Sequence, residues 1–165
     1  MSEPVPLSAA QPVIAPETPF DRAAVDRLIE DAFGSGRFAK TAERLREGNT
    51  PLHDLCFVAR AEGRVIGGVR LWPVTVGGEP SAFLGPIAVD AAGRSRGVGA
   101  LLVEQACEAA RAAGYRSVLL VGDAPYFGRF GFERATVRLP GPVDPRRVLI
   151  RTFDGEPPTG DVARG

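Results

Sequence analysis

Lysine is nearly missing from this chain. Lys40 is the only one, and arginine supplies the rest of the 20 basic residues that offset 20 acidic ones. A formal net charge of +0 leaves no bulk field for a polyanion, which argues against nucleic acid or an anionic membrane surface as partner. The arginines occur on every segment, so their excess reads as a compositional bias and not as a motif. Cysteine is scarce too: Cys56 and Cys107 stand far apart without CxxC spacing. That spacing excludes a disulfide frame or zinc site and suits free thiols in a reducing compartment. His53, the only histidine, reads as a surface residue, so no metal is called for. No apolar run approaches the roughly 20 residues of a membrane span. The N-terminal stretch lacks the basic start and apolar core of a signal peptide. These absences lead to the expectation of a cytoplasmic protein. With 165 residues, there is enough chain for one domain with a sizeable core.

What is present reads as alternating helices and strands. Residues 1–17 are rich in Pro, Ala and Ser and read as a flexible segment, with PVIA (12–15) able to form a short edge strand. Thr18, Pro19 and Asp21 carry a capping-box-like helix start, and Val25, Leu28, Ile29 and Phe33 share one face of the helix behind it. GSGRF (34–38) reads as a loop and KTAERLREG (40–48) as a short polar helix. Then LCFVARA (55–61), VIGGVRLWPVTV (65–76) and SAFLGPIAVD (81–90), parted by short turns, predict an antiparallel meander. Val98, Leu101, Leu102, Ala106, Ala109, Ala110 and Ala113 form the apolar stripe of a long helix. SVLLVG (117–122) is a strand buried on both faces, parallel to the one before the helix. DAPYFGRFGF (123–132) predicts a short helix, and ATVRLPG with RRVLIRTF a closing hairpin around PVDP. The last residues, 154–165, read as a flexible tail, leaving 18–153 as a single domain.

The stretch GRSRGVGALL (93–102) puts two arginines and three glycines where a strand turns into a helix. The first backbone N–H groups of a helix have no partners, and with the helix dipole they form an anion site. Glycine lets a phosphate reach that backbone, and Arg94 and Arg96 add charge at the rim. A Walker loop would need Gly-Lys-Ser/Thr, and a dinucleotide fingerprint would need a third glycine where Leu102 stands. The remaining pattern, Gln/Arg-x-x-Gly-x-Gly/Ala after a strand, is met by Arg94, Gly97 and Gly99. On those residues alone, a glycine-softened turn with solvated arginines is the alternative. Together with LGPIAVD before the loop and YFGRFGF (126–132) after the next strand, the chain resembles the GNAT superfamily of N-acyltransferases. LGPIAVD, LLVGDAPYFGRFGF and LPGPVDPRR resemble its YhbS-like branch of bacterial acetyltransferases.

The resemblance implies an α/β GNAT fold: a mixed, mostly antiparallel sheet with helices on both faces and a central parallel pair splayed for CoA. It implies acetyl-CoA as cosubstrate and an amine, more so of a small molecule, as acceptor, with direct transfer in a ternary complex. A non-catalytic acyl-CoA sensor is the alternative. Ile87, Ala88 and Val89 would bond the pantetheine arm, with an N–H near Val89 stabilising the tetrahedral oxyanion. The amides from Ser95 through Arg96, Gly97, Val98 and Gly99 to Ala100 would hold the pyrophosphate. Gly93 and Ala91 stand where the branch often has an aromatic and a proline. Phe127 occupies the position of the family's usual proton-donating tyrosine. Tyr126, about 100° away on a helix, would then substitute after a local shift, or the thiolate would leave unassisted. Asp123 is a candidate base or the cap of the short helix. Arg129 would meet the CoA 3′-phosphate or cap the helix end. Phe33, Arg37, Arg70 and Trp72 are candidates for the acceptor side, each also readable as core or solvated charge. Family habit leaves a homodimer open.

Overall fold

The computed structural model describes residues 11–33, 41–94 and 96–165. Arg37 and Ser95, the 34–38 loop, residues 1–10 and the side chain of Phe33 lie outside the described residues. The capping box at Thr18 forms: its amide and hydroxyl donate to Asp21 Oδ2 at 2.8 and 2.9 Å, and Arg60 Nη2 adds a third bond at 2.6 Å. Helix α1 (Arg22–Phe33) follows, and α2 (Thr41–Arg46) is the short polar helix. Burial pushes the Asp21 carboxyl up, but the bonds from Arg60 and Thr18 outweigh it and hold it below the usual carboxylate value. Stability from this carboxylate is therefore present above about pH 4 and is lost as the pH falls through its lowered folded-state value. Asp21→Asn is expected to cost about 1–2 kcal/mol at pH 7, and less at acid pH, in urea titrations repeated across pH.

Among the described residues nine strands are laid out around one crossover. They are β1 (Val13–Pro16), β2 (Phe57–Ala61), β3 (Arg64–Val76), β4 (Glu79–Val89), β5 (Ser117–Val121), β6 (Glu133–Arg134), β7 (Val137–Arg138), β8 (Val148–Thr152) and β9 (Gly160–Arg164). The order is β1-β2-β3-β4-β5-β8-β6, with β9 against β3 and β7 against β9. Neighbours in the main path are antiparallel except β4 and β5, joined through α3 (Ala91–Arg94) and α4 (Val98–Ala112). Most of the expected α4 stripe is buried: Val98, Leu102, Ala106 and Ala110, joined by Val103 and Cys107, which the stripe did not include, lie on the sheet face made by Ile66, Val69, Leu71, Leu84, Val118 and Leu120, whereas Leu101 and Ala113 at its flanks are exposed. On the other face Val25 and Ile29 of α1 pack on Val58 and Ala88.

Two expectations for the C-terminal third need correction. β7 does not form a hairpin with β8; β8 pairs with β5 and β6, and β7 runs parallel to β9. The tail after 154 is not loose either, because Gly160–Arg164 is β9. Its physical reason lies in β3. That strand is 13 residues long, and β2 covers only its first half, so Val74–Val76 present an open edge that Val162–Arg164 fills. The result is a closed half. β6 ends one edge and β7 begins the other, yet only Ala135 and Thr136 separate them, a reach of about 10–11 Å. The sheet must curl until its edges meet. Inside the curl Val74, Val76, Phe83, Leu119, Ile150 and Val162 form a second core, with Leu45 of α2 packed into it.

Candidate active site

β4 and β5 share only two registered pairs, Ala82 with Val118 and Phe83 with Leu119. Beyond them the strands separate, and Leu84–Val89 has β3 on one side and no strand on the other. A two-against-one bulge marks the start of this free stretch: Gly85 and Pro86 stand opposite Arg70 alone. Asp90 N donates to Ile66 O at 2.9 Å, which sets the alternation along the ladder. In that alternation Ile87 and Val89 turn their amides and carbonyls into the splay. Ala88, expected to bond the pantetheine, has its backbone groups turned to Gly68 of β3 instead.

The splay opens onto the head of α4. Gly97 is its N-cap at φ 69°, ψ 26°, a left-handed conformation in which a side chain is strained, and a Cβ there would meet nothing within 4 Å. The amides of Val98, Gly99 and Ala100 have no partner in the helix and form a ready anion cradle. Arg94 bends back, its Nε donating to Val89 O at 3.0 Å, while Arg96 Nη2 lies 3.6 Å from Glu62. Both cations thus stand at the rim. The stretch before the loop is a helical turn, α3.

Helix α5 (Ala124–Gly128) faces this cradle from β5. Asp123 is its N-cap, with Oδ2 accepting from Tyr126 N at 3.0 Å. Phe127 is buried in the main core, edge-on to Tyr126 (4.8 Å) and Phe132 (5.9 Å). Tyr126 turns the other way, toward Gly99. The Arg129 guanidinium stacks 4.7 Å over the Tyr126 ring, and its Nε donates to Tyr126 O.

Of the acceptor-side candidates, Arg70 and Trp72 lie on β3. Arg70, expected on the acceptor side or as a solvated charge, is tied to two carboxylates: Nε and Nη2 reach Glu17 at 3.2 and 3.0 Å, and Nη1 reaches Asp26 at 2.8 Å. Burial opposes its charge, and the Glu17 bonds outweigh that. Trp72 donates from Nε1 to Gly85 O at 2.6 Å, pinning the bulge. The sequence reading missed Glu43 and Arg46 of α2. Arg46 bonds Glu43 at 2.9 Å, and its Nη1 approaches the Gly85 bulge. Their i,i+3 spacing was visible; their place over the bulge is set by tertiary packing. His53 is exposed, 3.4 Å from Arg22. The two thiols are buried, and burial pushes each up to about 11.

Residues 22–132 match the model of the Acetyltransferase (GNAT) family. The chain belongs to this family. Over 126 residues it is 37% identical to YhbS, an uncharacterized N-acetyltransferase of Escherichia coli strain K12, covering 74% of each. It is 32% identical to a second uncharacterized N-acetyltransferase of that strain, YjhQ, over 62% of this chain and 59% of that one. The crystal structure of E. coli YhbS in complex with CoA superposes at a TM-score of 0.79 and 29% identity, covering 100% of this chain and 93% of that one. A GNAT family acetyltransferase of Brucella melitensis in complex with acetyl-CoA gives 0.73 and 28%, covering 94% and 96%. The GNAT fold expected from the loop is the fold observed, with its parallel β4–β5 pair and helices on both faces. Among the described residues no helix is long and apolar enough to cross a membrane.

Proposed function

We propose that this GNAT protein moves the acetyl group of acetyl-CoA to the primary amine of a small molecule, by direct attack in a ternary complex. One observation carries the reading: the edge of Ile87 and Val89, paired to no strand among the described residues and with Arg94 Nε on the Val89 carbonyl, leads to the free amides of Val98–Ala100. An extended arm laid on that edge would add a strand, with its diphosphate on the head of α4. The two cleft-facing amides are the donors available to a thioester carbonyl. Of these, Val89 lies at the loop end and Ile87 nearer the bulge. Donors fixed before the reaction stabilise the oxyanion without reorganisation. A covalent acyl-cysteine route is disfavoured, because both thiols are buried and held near 11. The acceptor enters from the α1 and α2 side, between the Arg70 and Arg46 ion pairs. Among the described residues we assign no side chain as base, so a water relay to solvent is the proposed path for the amine proton.

The test is thermal unfolding with and without acetyl-CoA, followed by thiol release over a panel of amines. At 100 times its Kd, acetyl-CoA is expected to add about 2.7 kcal/mol, raising Tm by about 5–10 °C. No shift with any acyl-CoA would sink the proposal. Stabilisation without thiol release would favour a CoA sensor, the reading that buried Phe127 in place of a tyrosine supports.

A further inference from the structure

We infer that Tyr126 is a ligand of the CoA diphosphate and not the proton donor to the departing thiol. The inference rests on the acetyl-CoA reading of the cleft. A Cβ built on Gly99 would lie 2.9 Å from the Tyr126 hydroxyl oxygen and 3.9 Å from Val89 Cγ2. The hydroxyl therefore sits at the second residue of α4, across the mouth of the splay. Its ring is held there by edge contacts with Phe127 and Phe130 (4.8 and 5.4 Å) and by the Arg129 guanidinium over its face. The bond from Tyr126 N to Asp123 fixes the backbone behind it. Among the described residues the hydroxyl has no hydrogen-bond partner. An O–H donor thus joins the three unpaired N–H groups of Val98, Gly99 and Ala100, and α5 completes a cradle that α4 begins.

The same geometry removes Tyr126 from the thiol. An arm that starts at the head of α4 passes Val89, then Ile87, and runs toward the bulge at Gly85, each residue of strand adding about 3.3 Å. Its sulfur lies at the end away from Gly99. The hydroxyl also accounts for the glycine at 99. The loop pattern accepts alanine at that position, but here a methyl would displace the hydroxyl from its place beside the α4 amides.

Calorimetric titration of wild type and Tyr126→Phe with CoA, and with pantetheine, which lacks the diphosphate, tests this without knowledge of the acceptor. A phenol bonded to a phosphate oxygen predicts a 10- to 100-fold weaker Kd for CoA in the variant and no change for pantetheine. Equal CoA affinity in the two proteins, or an equal loss for both ligands, would overturn the inference. Failure of wild type to bind CoA would instead overturn the functional reading beneath it. In a second measurement, Gly99→Ala is expected to weaken CoA binding alone and to add nothing to Tyr126→Phe. Additive losses would count against the hydroxyl contact.

Discussion

Replacing Val162 by aspartate is expected to lower Tm by at least about 10 °C. Val162 is 4% exposed and stands opposite Val76 in the second core, with Leu45, Leu139 and Ile150 around it. Removing a fully buried valine costs about 1.5–3 kcal/mol, and an unpaired carboxylate in its place adds several more. Against a total stability of about 5–15 kcal/mol, that is a large share. At 2–4 °C per kcal/mol for a chain of this size, the drop is measurable by circular dichroism. Ala163→Asp, one residue on and exposed, serves as control and should shift stability by less than about 0.5 kcal/mol. The alternation is the point of the pair: in a loose tail the two substitutions would be equivalent. Arg164 Nη1 also donates to Glu47 O at 2.5 Å, so hydrogen exchange in α2 should rise with Val162→Asp. An unchanged Tm would show that closure of the curled half contributes nothing.

Local periodicity accounts for what was legible. The α4 stripe, the doubly buried SVLLV strand and the Gly97–Gly99 turn each announce themselves within about 15 residues, because burial there follows helix or strand period. The loop, read together with LGPIAVD and YFGRFGF, also carried the resemblance to the family whose model matches residues 22–132. β9 was not legible. Its one buried residue, Val162, gives no period, and its partner edge exists only because β3 outruns β2. The contacts of Arg70 and Trp72 come from partners far away in sequence: Glu17, Asp26 and the carbonyl of Gly85. The hairpin expected around PVDP failed for a similar reason. Strand β6 is only two residues long, and the chain after it finds the distant β9 edge in place of β8. At α5 consecutive helical positions set Tyr126 about 100° from Phe127, and the short helix forms as expected. Which of the two faced the cradle needed the position of Gly99.

Arg70→Met should be nearly as damaging, for a reason that a second substitution exposes. The Arg70 side chain is 15% exposed and that of Glu17 is 7% exposed, and they meet through two nearly parallel bonds. Asp26, 64% exposed, adds a weaker rim contact. Methionine fills the volume but leaves the Glu17 carboxylate buried without its counter-charge. Breaking such a pair from one side costs about 3–5 kcal/mol, or roughly 6–20 °C in Tm. Replacing both partners, Arg70→Met with Glu17→Gln, removes the stranded charge, and most of that loss should return. The interaction energy from the double-mutant cycle is the decisive quantity. A value near zero would mean that the two residues do not act as a unit. A large value would identify the pair as the tie between the start of α1 and β3, beside the Gly85 bulge. With the acceptor entering beside the bulge, as proposed, the same variants should weaken acceptor binding more than CoA binding.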